Sequence, residues 1–114
     1  MKTLENLVPK LIEKTADSSL DWSVGNTSQT FDASIGKYII SIWSWTSEED
    51  GTEGLSIGIK PHGAVAMSDI VAFDKYSPRH EKLDELYGAA RRSALKIDRM
   101  IIEVEKDLDN LFPF

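Results

Sequence analysis

The chain predicts an α+β fold, with a helix first, an antiparallel sheet in the middle and helix again to the end. Three observations carry this. Apolar residues recur at helical spacing before Ala16 and again after Pro78. Between Lys37 and Phe73 the apolar positions alternate instead with period two. The alternating runs are separated by Asp50-Gly51 and Pro61-His62-Gly63, short turn signals that send a chain back antiparallel to itself. A length of 114 residues allows one domain and no second core.

Each element follows from its residues. Leu4, Leu7, Val8, Leu11 and Ile12 share one helical face, and Thr3 is placed to cap it. Pro9 lacks the N–H that would bond back to Glu5, so a kink or a late helix start is expected there. Ala16-Asp17-Ser18-Ser19 ends the helix. Residues 22–35 predict one edge strand with Gly25-Asn26 as a turn or bulge inside it. Residues 37–46 (KYIISIWSWT) form the most strand-like stretch, with Tyr38, Ile40 and Ile42 on one side and Ile39, Trp43 and Trp45 on the other. Apolar residues on both sides predict a central strand covered in part on each face. Leu55, Ile57 and Ile59 then alternate with Ser56, Gly58 and Lys60, giving one buried face, and residues 64–73 supply a further strand. The expectation is a meander of three or four strands.

The last segment starts at Ser77 and Pro78, a cap and a first helical residue. Leu83, Tyr87, Ala90, Ala94, Ile97, Ile101, Val104, Leu108 and Leu111 follow at alternating spacings of four and three. That is a heptad stripe, which serves a helix lying on a sheet as well as a coiled-coil seam. The stretch reads as one long helix, or as two broken near Leu95-Lys96-Ile97-Asp98.

Composition narrows the function. Hydrophobic residues make up 41% and charged residues 28%, as in globular domains and unlike disordered ones. The absence of cysteine excludes disulfides, thiol nucleophiles and cysteine-ligated zinc. Residues 1–6 have no long apolar run behind Lys2, and no stretch reaches the ~20 apolar residues of a membrane span. A cytoplasmic location without membrane contact is therefore expected. A net charge of −6 argues against direct nucleic-acid binding and suits an acidic surface that occupies a basic groove on another protein.

Candidate sites are few. Glu48, Glu49, Asp50 and Glu53 cluster in the hairpin loop. They read as a solvated tip that keeps the sheet edge soluble, as a protein contact, or as hard-cation ligands lacking the ordered spacing of a calcium loop. Trp43 and Trp45 precede the loop on one strand face. They read either as core beneath a helix or as an interface anchor, with Trp45 the one nearer the surface. Arg91, Arg92, Lys96 and Arg99 are close enough to Asp84, Glu85, Asp98 and Glu103 to form a salt-bridged helix face. His62 and His80 lack metal-ligand partners at useful spacing, and there is no nucleophile elbow or phosphate-binding glycine loop. Asp17, Asp21, Asp32, Asp69 and Asp74 have no catalytic spacing. No cofactor, metal or catalytic residue is assigned.

The order of parts is similar to that of small uncharacterised proteins of bacteria and their phages. It is carried by the strand SIWSWT, the acidic glycine turn, the strand GLSIGI and the helix LYGAARRSALKID, from Trp22 onward. Where those chains place a glycine after Ala-Leu, this one has Lys96. The resemblance implies no particular chemistry. The leading expectation is a small acidic protein-binding module, for example a phage or mobile-element inhibitor of anti-CRISPR or immunity-protein kind, acting by steric occlusion. Trp45, Glu48, Glu49, Asp50 and Glu53 would meet the partner. One alternative is a homo-oligomeric structural or regulatory domain, such as a homodimer, assembled through Ile97, Ile101, Val104 and Leu108. The other is a small-ligand binder or enzyme with a carboxylate site.

Overall fold

A computed structural model describes residues 1–111. Its chain opens with a 3₁₀ turn at Glu5–Leu7 that runs into helix α1, Val8–Ala16. Pro9 falls in the first turn of α1, where its missing N–H costs nothing, so the late start is realised. Thr3 Oγ1 accepts the N–H of Asn6 at 3.3 Å, but the N-cap position of the 3₁₀ turn falls to Leu4 and not to Thr3. Ser18, at a φ of 66°, closes the helix at its other end.

Five strands follow among the described residues: β1 Ser23–Val24, β2 Thr30–Ile35, β3 Tyr38–Thr46, β4 Glu53–Pro61 and β5 Asp69–Asp74. They lie in sequence order, each antiparallel to the next. The single edge strand expected from residues 22–35 is two strands. The chain reverses after Val24, and the N–H of Gly25 bonds the carbonyl of Thr30 at 2.7 Å. A β-carbon on Gly25 would stand 2.8 Å from the Thr30 methyl, so glycine permits this tight return. At the β3–β4 hairpin, Gly51 takes a φ of 73°, and Ser47 and Thr52 close the turn at 2.7 Å.

Helix α2 spans His80–Ala94 and α3 spans Ile97–Leu111. The expected C-terminal helix is thus present and broken. Lys96 sits at a φ of 55°, a left-handed conformation that no helix interior accepts.

The core lies between one sheet face and α1 with α2. Phe31, Ile40, Ile42, Leu55 and Ile57 from the sheet meet Leu4, Val8 and Leu11 from the first helical segment and Leu83, Leu86 and Ala90 from α2. Trp22, just before β1, locks the two helices together. Its indole N–H donates to Thr15 at 2.9 Å, and that hydroxyl donates to the Leu11 carbonyl at 2.7 Å. Its backbone N–H donates to Ser93 of α2 at 3.0 Å. Buried polar atoms are thereby paired, as a dry core demands.

Helix α3 leaves this body. Among its described residues none is buried. The radius of gyration is 16.7 Å, against roughly 13 Å for a compact chain of this length. The longest dimension reaches 61 Å.

Candidate functional site

The opposite face of the sheet carries Ile39, Ser41, Trp43 and Trp45 from β3, and Gly54, Ser56 and Gly58 from β4. Both helices pack on the other side, so the two tryptophans lie beneath no helix, and the partial cover expected on this face comes from the chain's own side chains. Trp45 stands across from Gly54, and its indole lies flat over that glycine: a β-carbon there would overlap the ring. Trp43 and Met67 lie over Gly58 in the same way, with Met67 Sδ 2.9 Å from where a β-carbon would be. Both tryptophans are half-buried. The alternation Gly54-Leu55-Ser56-Ile57-Gly58-Ile59 is the sequence signal for this: small residues on one side leave room for rings to lie down.

Next to Trp43 is a shallow depression of about 430 Å³ lined by Thr30, Asp32, Ser41, Lys60 and Met67 among others. Ser41 donates to the Asp32 carboxylate there at 2.6 Å. The sequence reading did not single out this pair.

The acidic loop lies at the end of this face. Glu48, Glu49, Asp50 and Glu53 are all exposed. Asp50 differs from the others because its carboxylate accepts the Thr52 N–H at 2.9 Å. That backbone hydrogen bond, with the Thr52 hydroxyl assisting, holds its pKa below the usual aspartate value. Asp50 therefore shapes the turn, while the three glutamates take part in no ion pair among the described residues. Among the described residues no group of three or more His, Asp or Glu is placed to hold a metal ion. His62 is engaged by Ser34 at 2.7 Å.

The other candidate surface is α3. Ile97 is half-buried beside the break, whereas Ile101 is 48% exposed, Val104 55% and Leu108 57%. The heptad stripe does not continue unbroken from α2. Leu83, Leu86 and Ala90 go to the core, and the stripe resumes past Lys96 with Ile97 half-buried and Ile101, Val104 and Leu108 exposed. The basic stretch is salt-bridged in part: Arg92 pairs with Asp98 across the break and Arg99 with Glu103 at 3.3 Å, while Arg91 and Lys96 take part in no ion pair among the described residues. Glu105 and Asp107, on either side of the stripe, take part in no ion pair among the described residues.

A third feature was not anticipated. Between α1 and the β2–β3 turn runs an apolar groove of about 410 Å³, lined by Leu7, Leu11, Leu20, Ile35 and Tyr38, with Lys10 and Lys14 on its rim. It forms where Leu7 and Leu11 of the first helical segment face Ile35 and Tyr38 at the β2–β3 hairpin end. The position of that hairpin end is a tertiary fact that periodicity does not encode.

Among the described residues no helix is long and apolar enough to cross a membrane. Comparison with family models, with curated proteins and with solved structures gives no match to this chain.

Proposed function

We propose that this chain is a protein-binding module that presents α3 as its recognition helix. The observation that supports it is the 15-residue amphipathic helix with no buried residue. An isolated helix of this length is marginal in water and draws stability from packing its apolar face. Ile97, Ile101, Val104 and Leu108 are spaced as the anchors of helix-in-groove recognition. The unpaired Glu105 and Asp107 beside them favour a groove with a basic rim. Ile101→Glu tests this. The variant should keep its circular dichroism melting curve and lose association with any protein partner, itself or another. Association unchanged in the variant overturns the reading.

A second reading rests on the half-buried Trp45 beside the acidic hairpin. Trp45, Glu48, Glu49 and Glu53 would dock into a basic, nucleic-acid-binding or catalytic groove of a target. The chain would then act as an inhibitor of anti-CRISPR or immunity-protein type by steric occlusion. Reversing Glu48, Glu49 and Glu53 to lysine, and sparing Asp50 because it shapes the turn, should abolish such binding with the fold intact. Binding that persists with unchanged affinity counts against it.

A further inference from the structure

We infer that the groove receiving α3 belongs to a second copy of this chain, the two copies exchanging α3 helices reciprocally. The inference rests on the proposal that α3 is a recognition helix, and it names the partner.

Charge decides between the ways two copies could meet. A homotypic α3 zipper would put Glu105 at one flank of the seam and Asp107 at the other, Asp98 being paired with Arg92. Both flanks are acidic, so two such helices repel. The α1 groove has the opposite character. Lys10 and Lys14, one helical turn apart, form one rim, and neither takes part in an ion pair among the described residues. Ile35 and Tyr38 line the other side. An apolar floor with one basic rim thus matches an apolar stripe between acidic flanks. The residues that would be covered are those left exposed: Leu7 at 42% and Tyr38 at 49% in the groove, Ile101 and Val104 on the helix.

Geometry is compatible. The first turn of α3 lies near Leu20, at the end of the groove, since Leu20, Asp98 and Arg99 line one common depression. A helix of this length is about 22 Å long and about 10 Å across. Two reciprocal contacts of that footprint, each counted on both partners, bury on the order of 900 Å², the size of a weak, concentration-dependent interface. Exchange of the same element in both directions is isologous and closes at two copies, so it makes a dimer and not a fibre.

The test uses the full chain in light scattering and sedimentation, with two variants. Wild type should dimerise. Ile101→Glu, which spoils the helix, and Lys10→Glu with Lys14→Glu, which spoils the rim, should each be at least tenfold weaker as homodimers while melting as wild type does. Mixing the two variants should restore association in part, because one of the two contacts then pairs an intact helix with an intact groove. Three results overturn the inference: a monomeric wild type, a dimer indifferent to the lysine reversal, or two variants that do not complement. A monomeric wild type that binds a different protein, and loses it in Ile101→Glu, removes the second copy and leaves the recognition-helix reading standing. If Ile101→Glu alters no association at all, that reading falls as well.

Discussion

Trp45 rests on Gly54 because nothing larger than glycine fits beneath its ring. Alanine there would push the indole off the sheet and not the backbone, since the obstructing atoms belong to a side chain. Gly54→Ala is expected to red-shift the tryptophan emission and to cost about 1 kcal/mol, read by thermal unfolding. An unshifted spectrum would mean that the ring is not where the sheet places it. Asp50 acts on the same hairpin through charge. Its pKa is lowered by the Thr52 N–H, so its contribution is present at and above the ordinary aspartate pKa and is lost as pH falls through the folded value. Asp50→Asn keeps an acceptor for that N–H and should flatten this part of the acid dependence. Asp50→Ala should loosen the turn at every pH, seen as faster amide exchange at Thr52. The carboxylate cluster was legible in the sequence, but this division of labour was not. Which acid accepts a backbone N–H depends on the turn geometry around Gly51.

Elements were legible to the extent that their local pattern had one reading. The alternation in β4 and the Asp-Gly turn led directly to the hairpin. Residues 22–35 were harder, because β1 has only two residues and its partner begins six positions later. A strand that short has no period to detect, and what holds it is Trp22, fixed from outside by Thr15 and Ser93. Removing that hold tests its weight. Thr15→Val keeps the shape but leaves the Trp22 N–H buried without an acceptor, a loss of about 1–3 kcal/mol in denaturant unfolding. Loss near zero would mean that the indole finds another partner. The break between α2 and α3 is also local, and Lys96 is its cause. A lysine at a φ of 55° is strained where glycine is not. Lys96→Gly should therefore stabilise the chain by about 1 kcal/mol without moving the break. A destabilised variant would show that the lysine contributes more than its backbone costs.

At the scale of the whole molecule the heptad stripe is the instructive case, since spacing alone could not say which part of it meets the sheet. The left-handed Lys96 ends α2 and separates the remaining stripe from the core, so no residue of α3 is buried. The body should then be indifferent to α3. Ending the chain after Lys96 is expected to change the unfolding free energy by no more than about 0.5 kcal/mol, because no residue of α3 is buried. The core cluster contains Trp22, Phe31, Ile42 and Leu86 and, among the described residues, nothing beyond Ala94. Amide exchange in the full chain gives the complementary view. In dilute solution α3 should exchange nearly as fast as a free peptide of its length, while α2 is protected to the level of global unfolding. Raising the protein concentration should protect Ile101, Val104 and Leu108 in step with association, and leave the sheet unchanged. If α3 is instead protected at every concentration, and its removal costs more than about 2 kcal/mol, the helix is packed on its own body. The exposed stripe would then not be a surface for a partner at all.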